Sequence, residues 1–327
     1  MRAKLVTVAA ENLLHIFQVD TFTHSRFSGN PATVVLDADG QSDATLLAVA
    51  REFSHAEVAF VFAAAGPDHD VRLRFFNSRK EAAFVGHATV AAHAVLLALG
   101  RRGLGVWRQH SGTGVIEVSA SAGAASAGAA SAAAKSSVRV AAEGQTLIEF
   151  RQTVPELDSP LPFKSTMRVA EALRLPATQL HEIMPARLAR KGTTRLLVPI
   201  ADPRQLDDLV PNLGTLLELG NELGAEGFFV FALNRNTDEW STESRMFCPA
   251  LGIPEDPVSA NAHAMLAAYL WELGQFGKNS ASFIGHQGRQ MTRPGQVSVR
   301  LEVDQGSFNA VHIGGTAIIV SEGTLAL

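Results

Sequence analysis

Two stretches of this 327-residue chain repeat one another: RFFNSRKEAAFVGHATVAAHAVLLALG, from Arg74 to Gly100, and RMFCPALGIPEDPVSANAHAMLAAYLWELG, from Arg245 to Gly274. Each reads as an Arg-x-Phe that ends a strand, a loop of about ten residues, then a helix that carries Ala-His-Ala and closes on Leu-Gly. Nineteen residues separate Arg74 from His93 and eighteen separate Arg245 from His263, so the two histidines align with a single loop adjustment. One unit used twice predicts two similar domains whose equivalent loops face each other across a cleft, which is where ligand sites form.

The helix starts come next. Asp256-Pro257 reads as an N-cap followed by the proline of a first helical position. Gly86-His87 occupies the corresponding start, and histidine caps poorly, so His87 asks for another explanation. Helix starts collect partial positive charge and free N–H groups, a receptacle for a carboxylate or oxyanion. The small residues that follow, Ala88, Thr89, Ala91 and Ala92 in one copy and Ser259, Ala260 and Ala262 in the other, allow close approach of a ligand or close packing on a sheet.

Outside the repeat, Ile16–Phe22, Thr33–Leu36, Val58–Phe62 and Val71–Phe76 alternate or run apolar as strands do, and Ser42–Glu52 has helical spacing. Glu57 stands at the mouth of the apolar strand that starts at Val58. A carboxylate there is partly desolvated, which suits it to take and return a proton near neutrality; as a surface glutamate it would need no such role. Asn30 lies in the turn Phe27-Ser28-Gly29-Asn30-Pro31 that leads into another strand. The stretch Ser119–Ser137, all small residues and one lysine, cannot bury a core, and the β-branched runs Gly114–Val118 and Val138–Ala141 on either side make it an extended hairpin loop.

Hydrophobic residues make up 46% of the chain and charged ones 18%, a globular balance. Twenty-eight basic against 32 acidic side chains give a net charge of -4, which argues against a nucleic-acid binder. The single cysteine, Cys248, forbids an internal disulfide, a multi-cysteine zinc site and two-thiol acid/base chemistry, and with no adjacent His or Lys it reads as a packing residue. The apolar run Leu5–Ala10 is too short for a signal-peptide core and no window suits a membrane span, so a cytoplasmic location is expected.

Five blocks in order carry a resemblance: Val19–Val34 (VDTFTHSRFSGNPATV), the Glu57 strand, Phe76–His93 with Glu81 and Gly86-His87-Ala88-Thr89, Glu255-Asp256-Pro257-Val258, and Gly285-His286-Gln287-Gly288-Arg289. Together they resemble the PhzF-like phenazine-biosynthesis isomerase family, over nearly the whole chain apart from the Ala/Ser stretch. The resemblance implies an α+β fold related to diaminopimelate epimerase. In that fold two pseudo-symmetric domains each wrap a mostly antiparallel sheet or barrel around a central helix, with the active site in the cleft between them. The implied limits are residues 15–153 plus 318–327 for one domain, with 119–137 as an insertion, and 154–317 for the other.

It further implies that Glu57 shuttles the proton, with His87 and Asp256 as its catalytic partners. Asn30, Gly86, Ala88, Thr89, Ser259, Ala260, Asn261, Gln287 and Gly288 would bind the substrate, a small carboxylic acid. No cofactor and no metal are implied, and the chain would form a homodimer without nucleic-acid or membrane partners. Ser259-Ala260-Asn261 stands where the phenazine enzyme has Thr-Gly-Ser, which points to the homologues of unassigned substrate.

The expected activity is a cofactor-independent isomerisation by proton transfer at carbon. Its rivals are an epimerase or racemase with a base on each side of one carbon, and a binding protein that keeps the site without turnover. His93 and His263 read as structural polar groups at equivalent places, and His286 and Arg289 either contact a substrate carboxylate or belong to a plain turn.

Overall fold

A computed structural model describes residues 13–53, 57–122, 146–234, 241–276 and 282–327. The chain divides into two units, the first drawn from the described residues of 1–26, 31–146 and 317–327, the second from those of 27–30 and 147–316. The fold is α+β, with helices set against mixed, mostly antiparallel sheets.

The first unit contains β1 (Leu13–Thr21), β2 (Asn30–Leu36), α1 (Asp43–Glu52), β3 (Val58–Phe62), β4 (Val71–Phe76), the short β5 (Glu81–Ala82), α2 (Gly86–Ala98), β6 (Gly105–Ser111) and β7 (Gly114–Ala122). The second contains β8 (Thr146–Thr153), β9 (Glu156–Pro160), α3 (Phe163–Leu173), β10 (Arg187–Lys191), β11 (Thr193–Pro199), α4 (Gln205–Asp208), α5 (Leu213–Leu223), β12 (Gly227–Asn234), β13 (Ser241–Cys248), β14 (Ile253–Asp256), α6 (Ala260–Glu272), β15 (Ser282–Gln287), β16 (Gly295–Asp304) and β17 (Ser307–Gly315). The last strand, β18 (Ala317–Ala326), returns to the first unit and pairs antiparallel with β1.

The two sheets share one pattern of pairings. In the first, β2 runs parallel to β3, β3 antiparallel to β4, β4 parallel to β6 and β6 antiparallel to β7. In the second, the same alternation joins β11, β12, β13, β15 and β16. A two-stranded hook leaves the end of the third strand in each, β5 on β4 and β14 on β13. The strand over Thr146–Thr153, expected to close the first domain, pairs with β17 of the second unit. The hairpin expected around the Ala/Ser stretch has its first arm in β7; beyond Ala122, that stretch and Val138–Ala141 lie outside the described residues.

Helices α2 and α6 are apolar on every side, and that is why they sit inside their sheets. From Ala88 to Val90 and on to Leu96, α2 buries nearly every side chain against β1, β3 and β18. Helix α6 buries an unbroken run from Ala262 to Leu270 against β9, β10, β16 and β17. The outer faces carry separate cores: Val35, Leu46, Val58, Phe60 and Phe76 under α1, and Val169, Leu173, Leu196, Val198, Leu216, Phe228 and Phe247 under α3 and α5. Each such side chain stabilises its unit by roughly 1.5–3 kcal/mol through loss of apolar surface to water. Helix α1 starts on Ser42, whose hydroxyl accepts the Thr45 N–H at 3.1 Å.

The Arg-x-Phe repeat is built alike in both units. Arg74 grips Glu81 of β5 with Nε and Nη2 at 2.8 and 2.7 Å, and stacks on Phe76. Arg245 grips Glu255 of β14 at 2.9 and 2.8 Å, and stacks on Phe247. These forks set the true alignment of the two copies. Glu81 follows Arg74 by 7 residues and Glu255 follows Arg245 by 10, while each glutamate precedes its helix by the same interval. The equivalent helix starts are therefore Gly86 and Ala260, and His87 corresponds to Asn261.

Two expectations are corrected by this frame. Asp256 is the last residue of β14, not a helix cap: Ser259 caps α6, its hydroxyl accepting the Ala262 N–H at 3.4 Å. His93 and His263 are not at matching positions either. His93 lies one turn deeper in its helix, because the loop insertion before α6 is three residues rather than the single step that aligned the histidines.

Candidate active site

In the first unit the candidate residues gather at the start of α2. Glu57 directly precedes β3, and His87 is the second residue of α2. Glu57 Oε2 lies 3.5 Å from His87 Nε2, with the two side chains 28% and 13% exposed. That is ion-pair distance without a hydrogen bond, and His87 Nε2 is buried with no hydrogen-bond partner among the described residues. Val85, the N-cap, offers no side-chain oxygen, and the first-turn N–H groups of Gly86, His87 and Ala88 have no helical carbonyl to bond. A carboxylate with open access to solvent, an imidazole nitrogen with an unused lone pair or proton, and a set of first-turn amides thus share one small region.

Ala88 and Thr89 lie behind this surface, fully buried. The Thr89 hydroxyl accepts from Gln109 Nε2 at 3.4 Å, and Gln109 Oε1 lies 3.0 Å from His93 Nε2. Arg102 donates to the other His93 nitrogen. Burial, and secondarily the Arg102 charge, push the His93 pKa down to about 3, so the ring is neutral at physiological pH and joins Arg102 to Gln109 as a structural link.

In the second unit another set of candidates forms a hydrogen-bonded cluster. Asn30, buried, donates from Nδ2 to Asp256 Oδ1 at 2.9 Å and to the Val258 carbonyl at 2.8 Å. Gln287 accepts the Ser259 N–H at 3.0 Å and donates to the Asp256 carbonyl at 2.6 Å, tying β15 to the approach of α6. Gly288 turns with φ +87°, and a Cβ there would lie 2.3 Å from the Arg293 carbonyl oxygen and 2.6 Å from that of Pro257, so the close packing of two backbones requires glycine. Arg293 in turn donates to the carbonyls of Ser28 and Gly29 at 3.0 and 2.9 Å, which holds Phe27–Asn30 to this unit.

Other candidates point elsewhere. Asn261 donates to the Lys191 carbonyl and to Thr193 Oγ1 at 3.1 and 2.9 Å, closing the β10–β11 turn over α6. Ala260 caps nothing and is buried. Arg289 is engaged by Asp207 and Glu243 at 3.0 and 3.1 Å, so its charge is already matched. Burial lowers the pKa of His286. His263 donates from Nδ1 to the Ser259 carbonyl at 2.8 Å and packs edge-on against Phe229; burial pushes its pKa down to about 4. Cys248 is buried as a free thiol. Among the described residues no three His, Cys, Asp or Glu side chains converge on a metal-sized space, and no helix is long and apolar enough to cross a membrane. A surface groove of about 610 Å³ on α3, lined by Phe163, Lys164, Met167 and Arg168, contains none of the candidates.

The family model described as phenazine biosynthesis-like protein, PhzC-PhzF, matches residues 19–323. Among curated proteins, the uncharacterized isomerase YddE of Escherichia coli K12 is 31% identical over 95% of this chain and 98% of its own. An uncharacterized isomerase of Pseudomonas aeruginosa is 32% identical over 96% and 99%. Of solved structures, a PhzF-family phenazine biosynthesis protein of Bacillus anthracis superposes with a TM-score of 0.81 at 22% identity, covering 96% of this chain and 99% of its own. A hydroxyproline epimerase of Agrobacterium vitis gives 0.58 at 13% identity, over 98% and 94%, a likeness of fold alone.

Proposed function

We propose, from the premise that this chain belongs to the phenazine biosynthesis-like PhzC-PhzF family and is an isomerase, that it moves a proton at carbon within a small carboxylic acid. The observation that carries this reading is the 3.5 Å approach of Glu57 to His87 at the start of α2. Glu57 takes a proton from carbon and returns it at another position of the same substrate. The dienolate-like charge that builds between these steps is stabilised by His87 and by the first-turn amides of α2. Asp256, whose carboxylate Asn30 orients through its Nδ2 donor, holds an amine or hydroxyl of the substrate.

A one-base path fits better than a two-base epimerisation. Phe60 lies opposite Arg74 and Val230 opposite Arg245, so the position equivalent to Glu57 is Gly227, just as that equivalent to His87 is Asn261. Neither can act as a base, so the second copy repeats neither member of the pair; its candidate carboxylate, Asp256, stands instead on β14 with one oxygen taken by Asn30.

The test is proton exchange in deuterium oxide with amino- and hydroxy-substituted cyclic or unsaturated acids, followed by NMR. Wild-type protein is expected to wash deuterium into a C–H position or form an isomer, and Glu57→Gln to lose about 10²–10⁴-fold of that rate. Exchange that survives in Glu57→Gln within a few-fold would remove the proton-transfer role. Inversion at one carbon without any change of constitution would restore the epimerase reading.

A further inference from the structure

Among the described residues four arginines are buried, and three have evident partners. Arg102 donates to the carbonyls of Gly103, Gly105 and Val118. Arg187 pairs with Glu272 and also donates to the Asp158 carbonyl. Arg245 pairs with Glu255 and donates to the carbonyls of Leu206 and Leu209. Arg195, in the middle of β11, differs: it is 7% exposed, its Nε and Nη1 are buried, and neither has a hydrogen-bond partner among the described residues. Glu226, just before the neighbouring strand β12, accepts the Thr194 backbone N–H at 2.8 Å.

A guanidinium does not lose its charge in a protein. Burying one without an anion is strongly unfavourable, since the cost of leaving water is not offset by any attraction. An anion that reaches such a group matches its charge, and a planar fork of N–H donors suits a carboxylate in particular.

The position of Arg195 agrees with that need. Strand β11 alternates: Leu196 and Val198 enter the outer core, so Thr193, Arg195 and Leu197 face α6. Thr193 on that face already receives the Asn261 side chain from the first turn of α6. Arg195 is registered beside Gly227, where a Cβ would meet Met246 Cε at 2.8 Å and Cys248 Sγ at 3.0 Å, so its neighbours across the sheet are uncharged. Two residues further along those strands, Met246 pairs with Asp256.

We infer that Arg195, on the α6-facing side of β11, is an anion-binding residue of the second unit that takes a small carboxylate. The inference rests on the reading that this protein handles a small carboxylic acid, and it assigns a grip on an acid group to a residue outside all the recognised blocks. Arg195 is a binding residue: it holds the anion and takes no part in proton transfer. Gly227, where the repeat would otherwise place a second carboxylate, keeps the neighbourhood of the guanidinium free of a competing charge.

The experiment is titration of the full-length protein with malonate against sodium chloride at equal ionic strength, read by calorimetry and thermal unfolding, for wild type, Arg195→Met and Arg195→Lys. Malonate is expected to bind wild type and raise its unfolding temperature above the chloride control. Arg195→Met should bind at least tenfold more weakly, yet unfold in chloride at or above the wild-type temperature, because it removes an unmatched charge. Arg195→Lys keeps the charge without the fork and should fall between the two, which preserves the test if the methionine variant is insoluble. Binding by Arg195→Met within twofold of wild type would overturn the subsite, as would a wild type that distinguishes malonate no better than chloride, or a methionine variant several degrees less stable in chloride. Glu57→Gln, read by deuterium exchange, tests the proton-transfer reading separately. Failure of the proton-transfer reading therefore shows in deuterium exchange alone, and failure of the subsite in malonate affinity alone.

Discussion

The first unit places Glu57 and His87 3.5 Å apart at the start of its inner helix, while the second places Gly227 and Asn261 at the same two points and sets Arg195 beside Gly227. One topology, with the same order of parallel and antiparallel pairs and the same Arg-x-Phe fork, thus carries a carboxylate and an imidazole in one copy and an unmatched positive charge in the other. The architecture fixes where a functional side chain is presented, and the residue at each point decides what it does. The shared parts differ in depth as well. In the first unit the side chains of Arg74 and Glu81 are 16% and 42% exposed, and in the second those of Arg245 and Glu255 are 9% and 14% exposed.

That difference in depth gives the largest expected effect outside the site. Arg245→Met strands Glu255 and frees the carbonyls of Leu206 and Leu209, and should cost about 3–5 kcal/mol of unfolding free energy. Arg74→Met, on the more open fork, should cost about 1 kcal/mol. Urea unfolding of both variants decides it, and equal losses would mean that the forks are equally buried in solution.

Next in size is the response to acid. Both inner helices bury a neutral histidine, with pKa values pushed down to about 3 for His93 and about 4 for His263. A histidine held below its unfolded value of 6.5 contributes stability that is complete above that pH and is lost as pH falls toward the folded value. From pH 6.5 to 5 the loss should be about 2 kcal/mol for each ring. His93→Gln should flatten the acid slope by that amount, and a slope unchanged by the substitution would show that the ring is hydrated.

The smallest effect concerns the helix starts. Ser259→Ala removes the side-chain cap of α6 and should cost about 1 kcal/mol, whereas α2, capped by Val85, has no such bond to lose and should gain up to about 1 kcal/mol from Val85→Ser. Loss in both variants would show that the α2 start is held by packing of the valine rather than by its backbone.

Most of the strand framework is legible in the chain, because period-two alternation and the doubled Arg-x-Phe are local signals: Val58–Phe62 and Val71–Phe76 coincide with β3 and β4. What local signals cannot fix is the length of the loop between a fork and its helix. Ala-His-Ala occurs in both helices, so matching the histidines shifted the copies by one turn, and only the pairing of Arg245 with Glu255 reveals the true interval. The approach of Glu57 to His87 is likewise invisible along the chain, where thirty residues separate them; local sequence marked each by itself, as a strand-mouth carboxylate and a poor helix cap, and family resemblance is what joined them. Arg195 carried one signal, a lone charge in the otherwise uncharged strand Thr193–Pro199, but a strand arginine is usually a surface group, and its burial and lack of partners appear only in three dimensions.

The pairing of β1 with β18 has a consequence for how the protein is made. The ribosome releases β1 before the whole of 147–316 and β18 after it. The second unit, apart from the short Phe27–Asn30 segment, is therefore emitted as one continuous run that can condense while translation proceeds. The first unit, though begun earlier, must keep an unpaired strand edge waiting until β18 emerges. The unit that carries Glu57 and His87 is thus completed after the one that follows it in the chain.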